Sequence, residues 1–310
     1  MRKVDDFKIE RGISFSELIN QYEASGGFSA KDLAKAAKIV EEMIRDKESI
    51  NFISFPADII ATGTRGIIRE MVRKKWFDVI ITTCGTLDHD LARSFRDYYH
   101  GSFLADDWEL RKKGIHRLGN IFVPKESYGE IIEEKMQAWL KEIYDEEKKE
   151  LASYELIWEL GKRINNENSI LFWAYKNKIP VIVPGITDGA VGYQIWFFWQ
   201  NEHKDFSINL LKDEQLLNDI IWEAKKSGAL ILGGGISKHH TIWWNQFKEG
   251  LDYVVYISTA VEWDGSLSGA RPREAVSWNK VKEESKMVFL NSDITIALPL
   301  IYAYLVEVLE

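Results

Sequence analysis

The sequence predicts an α/β protein with a doubly wound, mostly parallel sheet, helices on both faces of that sheet and an N-terminal helical appendage. Three observations support this prediction. Six short apolar runs alternate with helical patterns along the chain. The runs are continuously apolar, as strands buried on both faces require. Small or polar residues follow each run, as is typical of loops at the carboxyl ends of parallel strands.

The N-terminal region predicts two helices. Ser14 and Glu17 form a capping-box pattern before the first helix, and Ser29 and Asp32 form another before the second. Two glycines, at positions 26 and 27, separate the helices. We therefore expect residues 1–48 to form the helical appendage and residues 49–310 to form one α/β domain.

The six predicted strands, each followed by a helical pattern, indicate a Rossmann-like fold. Ligands of such folds bind outside the carboxyl ends of the strands. Any one loop rich in Gly, Ser, Thr and Asp also serves turn geometry, so no single loop identifies a ligand site. The apolar stretch 179–199 resembles a membrane span, but it contains Pro184, Asp188 and three glycines. A strand, a loop and a buried helix explain it better. The predicted strands cover residues 50–55, 79–83, 181–183, 229–232, 253–258 and 287–290.

Composition excludes several classes of protein. The 310 residues are 45% hydrophobic, enough for a large core, and 40 basic against 48 acidic residues give a net charge of −8. This charge disfavours nucleic acid as a partner, since binding a phosphate backbone needs a dense basic patch. The single cysteine, Cys84, fits a reducing compartment, and the first residues contain no apolar signal segment. We expect a cytoplasmic protein without a membrane partner.

Reactive side chains are concentrated between residues 229 and 280. Three glycines at 233–235 precede Lys238, His239 and His240, and the stretch DGSLSGARPREAVSW at 264–278 is followed by Lys280. No intact G-x-G-x-x-G follows a strand, so the standard dinucleotide fingerprint is absent. The segment nevertheless closely resembles deoxyhypusine synthase. Weaker resemblance extends over TTCGTLDHD (82–90), GIHRLGNIFVP (114–124) and ITDGAVG (186–192), and the abbreviated N-terminus resembles archaeal members.

The resemblance implies an NAD-dependent transferase that moves the aminobutyl group of spermidine to one lysine of the hypusine-containing translation factor. An enzyme lysine would hold the group as an imine while NAD takes up the hydride and returns it. Residues 49–310 would then be the NAD-binding catalytic domain. The family also forms homotetramers with active sites between subunits, to which the tryptophans at 196–199 and 243–244 could contribute.

The family motif assigns roles to individual residues. Lys280 matches the imine-forming lysine, and His239 matches the active-site histidine, a suitable proton relay. By composition alone, Lys280 would be a solvated surface lysine and His239 a hydrogen-bonded loop residue. Asp88 or Asp293 would bind a ribose hydroxyl. The positions that match the NAD site are Asp58, Thr62, Thr83, Cys84, Gly85, Asp88, Asp188, Gly234, Thr259, Ala260 and Asp293.

The polyamine site departs from the eukaryotic pattern. Three positions that are acidic in eukaryotic members hold His89, Tyr193 and Leu267. Either other groups bind the amine, or the substrate is a different amine. The positions that match the substrate site are His89, Tyr193, Gly265, Ser266, Glu274 and Trp278.

Other functions remain open at this stage. The same chemistry with a small amine as acceptor would make the chain a polyamine aminobutyltransferase of the homospermidine synthase kind. A catalytically silent NAD-binding subunit is disfavoured because Lys280 is present. A thiol hydrolase using Cys84 and His89 has no accompanying oxyanion motif. A metal site of His239, His240, His89 and Asp88 has no supporting ligand spacing, so no metal is expected.

Overall fold

A computed structural model describes all residues, 1–310. The first part of the chain contains α1 (Phe15–Ser25), α2 (Phe28–Arg45), β1 (Ser49–Ser54), α3 (Thr64–Arg73), β2 (Val79–Ile81), α4 (Cys84–Phe95), β3 (Tyr99–His100), α5 (Asp107–Lys112), β4 (Ile115–Leu118), β5 (Ile121–Pro124), α6 (Gly129–Asp145) and β6 (Glu150–Leu151). The rest contains α7 (Ser153–Ile164), α8 (Ile170–Asn177), β7 (Val181–Ile182), α9 (Ala190–Gln200), β8 (Ser207–Ile208), α10 (Leu210–Glu223), β9 (Lys226–Leu232), α11 (Gly235–Asn245), β10 (Leu251–Ser258), α12 (Pro272–Val276), β11 (Val281–Asn291) and α13 (Ile294–Leu309).

The six predicted strands are all present, and they form a six-stranded sheet in the order β11-β10-β9-β1-β2-β7. The pairs β1–β9, β9–β10, β10–β11 and β2–β7 are all parallel. Residues at the centre of β1, β9 and β10 are completely buried, as continuous apolarity requires. The predicted mostly parallel α/β fold is confirmed.

The chain divides into two compact units. The first unit comprises Met1–Phe55, Trp76–Val79 and Leu217–Glu310, and the second comprises Pro56–Lys75 and Ile80–Leu216. The N-terminal helices thus belong to the same unit as the C-terminal third of the chain. The sequence-based boundary near residue 48 stays a prediction.

The first unit combines four parallel strands with the helices at both ends of the chain. Helix α1 begins at the predicted capping box of Ser14 and Glu17. The second predicted box is wrong, because α2 already begins at Phe28 with Gly27 as its N-cap. Only two residues separate the helices, so Ser29 lies inside the first turn. Backbone N–H groups of Phe15 and Ser16 donate to Glu307 of α13, which ties the N-terminal helices to the last helix.

The second unit contains the β2–β7 pair, helices α3 to α9 and two small sheets. Strands β3, β5 and β4 form an antiparallel sheet, and β6 pairs with β8. The stretch 179–199 forms β7, a loop and α9, as predicted. The prediction that this helix is buried holds for one face only, since Tyr193, Trp196 and Trp199 are exposed. None of the helices combines the length and apolarity that crossing a membrane requires.

Candidate active site

Lys280 lies in the turn between α12 and β11. Pro272 occupies the first turn of α12, a position where its fixed backbone angle favours the helix. The N–H of Lys280 donates to the carbonyl of Ala275 (3.0 Å), and its own carbonyl accepts from the N–H of Leu251 (3.1 Å). Both peptide groups flanking the side chain are therefore fixed, one to the preceding helix and one to β10.

Gly250 allows this arrangement. Its φ of +95° lies in the left-handed region, and a Cβ there would lie 2.7 Å from the nitrogen of Val281 and 2.8 Å from the carbonyl carbon of Lys280. Any larger residue would have to displace the backbone that carries Lys280.

The Lys280 side chain points into a cavity of about 350 Å³ within the first unit. His239, Glu274 and Trp278, three residues predicted from sequence, line the same cavity. The side chain of Lys280 is only 9% exposed, which excludes a fully solvated surface lysine. Its Nζ lies 5.3 Å from the ring centroid of Trp278 and 5.7 Å from that of Trp243. The amine therefore lies within cation–π distance of two indoles.

His239 lies on the first turns of α11 and stacks on Trp243, with ring centroids 5.8 Å apart and planes 22° apart. Burial lowers the pKa of His239, and the positive charge of Lys280 lowers it further. Both effects favour the neutral imidazole, which can accept a proton.

Lys238 and Tyr256 form the inner wall of the cavity. Lys238 is 1% exposed, and its Nζ donates to the carbonyls of Leu267 and Ala270, both at 2.7 Å. The same Nζ lies 4.1 Å from the ring centroid of Tyr256. Burial lowers the pKa of Lys238 to about 8. Lys238 thus attaches the segment 267–270 to α11.

The hydroxyl of Tyr256 is buried without a hydrogen-bond partner. Such groups are rare in folded proteins because an unpaired buried hydroxyl costs about 1–3 kcal/mol. Burial raises the pKa of Tyr256. Because Tyr256 also lines the cavity, its unpaired hydroxyl is suited to a polar ligand bound there.

Two predicted substrate residues, Gly265 and Ser266, lie on the exposed loop before this wall. The N–H of Ser266 donates to Asp264 (2.7 Å). The side-chain hydrogen bond from Ser266, and next this backbone hydrogen bond, lower the pKa of the Asp264 carboxyl group. Neither residue lines the cavity. Their assignment to the substrate site stays a prediction.

Four predicted NAD residues follow three adjacent strands of the first unit. The register pairs Ile257 with Leu232 and Ser258 with Asn291, so β9, β10 and β11 end at the same edge. Gly234 follows β9, Thr259 and Ala260 follow β10, and Asp293 follows β11. Asp293 caps α13 with its Oδ1, which leaves Oδ2 available to a ligand.

Gly234 also packs against the cavity wall. A Cβ at this position would lie 2.1 Å from the Oγ of Ser268 and 2.4 Å from its Cα. The glycine loop and the segment 267–270 are therefore in main-chain contact, which only glycine allows.

A second group of predicted residues surrounds Asp88 in the second unit. Asp88 is 1% exposed, and its carboxylate accepts from the N–H groups of Ala190 (2.9 Å) and Val191 (2.8 Å) and from the hydroxyl of Tyr128 (2.8 Å). Burial raises its pKa. The carboxylate caps the N-terminus of α9, where the first N–H groups lack helical partners.

Cys84 is completely buried beside Asp88, with Sγ 3.9 Å from Oδ1. Burial, and next the negative charge of Asp88, raise the pKa of the thiol. Since the thiolate is the nucleophilic form, this environment argues against a thiol hydrolase. Thr83 precedes α4 as its N-cap, and a Cβ on Gly85 would lie 2.8 Å from that of Ala57.

The remaining predicted residues of the second unit differ in exposure. Asp58 and Asp188 are exposed, Thr62 is half-buried, and Tyr193 is exposed on α9. His89 is buried, and its Nδ1 lies 3.0 Å from the hydroxyl of Tyr98. Burial lowers the pKa of His89 to about 4, which favours the neutral ring. No group of three or more His, Cys, Asp or Glu side chains is arranged to bind a metal ion.

Three residues that line the cavity were not predicted as site residues from the sequence, namely Lys238, Trp243 and Tyr256. Trp243 follows His239 by four positions on α11, and this spacing places both on one helix face. The spacing of four residues from His239 is therefore the sequence feature from which Trp243 could have been predicted. Tyr256 lies inside a continuously apolar strand, where a tyrosine is normally part of the core.

These features define an α/β enzyme with a buried lysine amine in an aromatic cavity and with glycine, threonine and aspartate residues in loops at the carboxyl edge of a parallel sheet. Comparison with known proteins gives the family. The family profile "DS: Deoxyhypusine synthase" matches residues 17–305. The chain belongs to the deoxyhypusine synthase family, and it is an enzyme of the transferase class.

Individual relatives agree with this assignment. A protein of Picrophilus torridus named probable deoxyhypusine synthase is 60% identical over 97% of this chain and 96% of its own length. One of the same name from Thermoplasma acidophilum is 54% identical over the same shares. The crystal structure of an Entamoeba histolytica protein assigned to the deoxyhypusine synthases covers 97% of this chain and 96% of that one, with 21% identity and a TM-score of 0.66. That likeness supports the fold.

Proposed function

We propose that the chain transfers the aminobutyl group of spermidine, with NAD as cofactor, to a specific lysine of the hypusine-containing translation factor. The observation that carries this proposal is the position of Lys280, whose buried amine lies in an aromatic cavity beside His239. Family membership supports the reaction type, and the geometry supports the assignment of Lys280 as the residue that forms the imine.

Lys280 would act as the nucleophile. Its nitrogen attacks the imine carbon of the oxidised polyamine, the bond from that carbon to the departing nitrogen breaks, and 1,3-diaminopropane leaves. The aminobutyl group then remains on Lys280 as an imine. The target lysine attacks the same carbon and releases Lys280. A cavity of this kind limits water, which would otherwise hydrolyse the imine.

His239 would move the protons that these exchanges require. Each attack by an amine releases a proton, and each departing amine needs one. A histidine whose pKa lies below its ordinary value is neutral at physiological pH and can accept the first of them. Its place beside Lys280 in the cavity supports this role.

The residues at the sheet edge fit a dinucleotide. Gly234 offers main chain without a side chain, Thr259 offers an exposed hydroxyl, and Asp293 offers a carboxylate oxygen suited to a ribose hydroxyl. When bound, NAD would accept a hydride from the carbon beside the secondary amine of spermidine and later return it. Asp58, Thr62, Thr83, Gly85 and Asp188 of the second unit are proposed NAD-binding residues because the family resemblance implies this role. Asp88 would support them by fixing the start of α9.

Assembly and location are part of the same proposal. We propose a homotetramer with active sites between subunits, and exposed aromatic residues such as Trp196 and Trp199 support an interface. The single cysteine is free, which supports the reducing cytoplasm as its location.

The decisive experiment replaces Lys280. The enzyme is incubated with NAD, labelled spermidine and acceptor protein, and the imine is trapped with borohydride. We expect wild type and Lys225→Ala, a change at an exposed surface lysine, to transfer label to the acceptor. Lys280→Ala should neither trap nor transfer label while still binding NAD. Full turnover by Lys280→Ala would refute the role of Lys280, and label found only in a small amine would refute the protein acceptor.

A further inference from the structure

The cavity around Lys280 has the wrong charge for a polyamine held by ion pairs. Three basic side chains, Lys238, Arg271 and Lys280, line it, but Glu274 is its only carboxylate. By its resemblance to the family, the sequence holds Leu267 at a position that is acidic in eukaryotic members. A substrate with several ammonium groups therefore meets more positive than negative charge, and another attraction must offset the repulsion.

Two of these cations are engaged by the protein itself. Lys238 donates to two carbonyls, and the guanidinium of Arg271 lies 3.5 Å from the ring centroid of Phe289. Their charge is held in the wall of the cavity. Besides the carboxylate of Glu274, the faces of Trp243 and Trp278 remain as groups that attract a cation.

Trp243 and Trp278 approach the Lys280 amine from two different elements. Trp243 belongs to α11, whereas Trp278 belongs to the turn that precedes Lys280. Their ring centroids lie 5.7 and 5.3 Å from the same Nζ. Each ring is partly exposed, at 41% for Trp243, so a ligand can reach it. The ring of His239 stacks on Trp243 and thereby helps to fix the orientation of the indole.

We propose that Trp243 is a substrate-binding residue that, together with Trp278, holds an alkylammonium or iminium ion at Lys280 through cation–π attraction. This inference rests on the proposed function and adds the chemistry by which this site selects its substrate. Indole is the strongest of the aromatic side chains in such contacts. The bound ion would be either an ammonium group of the polyamine or the protonated imine on Lys280.

The test compares Trp243→Leu, Trp243→Phe and Trp222→Leu. Trp222 is an exposed tryptophan that does not line the cavity, so its replacement is the control. We expect Trp243→Leu to raise KM for spermidine roughly tenfold, a factor that corresponds to about 1.4 kcal/mol and lies between the strengths of exposed and desolvated cation–π contacts. The turnover number should change less than twofold. Trp243→Phe should recover part of the affinity, and Trp222→Leu should match wild type.

Tetramethylammonium separates cation–π attraction from other contacts, because it is a cation without N–H donors. It should inhibit wild type competitively against spermidine, inhibit Trp243→Phe more weakly, and inhibit Trp243→Leu least. Unchanged KM and unchanged inhibition in Trp243→Leu would overturn the inference.

The inference and the proposed function fail in different ways. If wild type does not turn over spermidine, the proposed function fails. If wild type is active but the Trp243 variants behave like it, only the inference fails. Should Trp243→Leu not fold, as judged by thermal melting, Trp243→Phe decides, and a KM equal to wild type would overturn the inference.

Discussion

The Lys280 cavity and the Asp88 cluster both contain buried polar groups, but they differ in whether these groups have hydrogen-bond partners within the protein. Around Asp88, both carboxylate oxygens accept hydrogen bonds from the protein itself, from two N–H groups and a tyrosine hydroxyl. Around Lys280, the hydroxyl of Tyr256 has no partner, and the lysine amine faces aromatic rings.

This difference separates structural polar groups from groups prepared for a ligand. A buried polar group that is fully paired stabilises the fold, whereas one that is left unpaired costs free energy until a ligand pairs with it. The Asp88 cluster therefore fixes backbone, whereas the Lys280 cavity contains an unpaired hydroxyl with which a bound substrate would pair in the proposed function. Changes in the first should alter stability, and changes in the second should alter catalysis.

Of the four changes that test this difference, His239→Ala should have the largest effect and should act on the rate alone. Loss of a proton relay lowers turnover by roughly two to four orders of magnitude. The unfolding temperature should stay near that of wild type, since His239 is exposed on one side. Steady-state kinetics and thermal melting measure the two effects. His116→Ala, at an exposed position of β4, is the control. If His239→Ala has a lower unfolding temperature but an unchanged turnover number, His239 has a structural role and not a catalytic one.

Asp88→Ala should mainly destabilise the fold. It leaves two N–H groups and a hydroxyl without their acceptor in a buried place, which should lower the free energy of unfolding by about 3 kcal/mol or more. Denaturant unfolding measures this loss. Asp188→Ala removes an exposed carboxylate nearby and should change stability by less than about 0.5 kcal/mol. Equal losses in both variants would contradict the distinction.

His89 should make the protein sensitive to acid. Burial lowers its pKa from 6.5 to about 4. As pH falls through this window, the unfolded chain binds the proton first, so folding stability decreases with decreasing pH. Between pH 7 and pH 4, the free energy of unfolding of wild type should decrease by about 3 kcal/mol more than that of His89→Gln. Denaturant unfolding at a series of pH values tests this, with His116→Gln as control. If the free energy of unfolding depends on pH in the same way in wild type and His89→Gln, the pKa of His89 is not lowered in the folded protein.

Gly250→Ala should have the smallest effect and should connect stability with catalysis. The added methyl group meets the backbone at Lys280 and Val281, and the left-handed angle adds strain, so we expect a loss of about 2 kcal/mol. Borohydride trapping on Lys280 should also decrease. Gly12 has a similar φ of +88° with no neighbour within 4 Å, so Gly12→Ala should cost only about 1 kcal/mol and leave trapping intact. Identical effects of the two changes would mean that the contact with Lys280 does not matter.

Sequence alone predicted the main features of the fold because buried parallel strands have a strong local signal. All six strands lie where the apolar runs are. The antiparallel sheet of β3, β4 and β5 was not predicted, since its strands are two to four residues long and lack a clear apolar period. The failed capping box at Ser29 has a similar cause, because the box pattern does not specify how short the preceding turn is.

The site could be predicted in part from its motif. The motif at 233–240 located His239, and the stretch 264–280 located Glu274, Trp278 and Lys280. The structure brings these four residues together in one cavity. The partners of Asp88 and the tyrosine inside β10 depend on contacts between distant segments, which no local pattern reveals. The roles proposed for the NAD residues and for Gly265 and Ser266 stay predictions.

The contact of Gly234 with Ser268 has a consequence for how such enzymes can diverge. The frame of the cavity is held by this main-chain contact and by Lys238, and not by the side chains at positions 243 and 267. Positions 243 and 267 can then exchange one side chain for another without moving the frame or the lysine. Substrate preference can drift between lineages while the reaction chemistry is preserved, which separates the evolution of selectivity from that of catalysis.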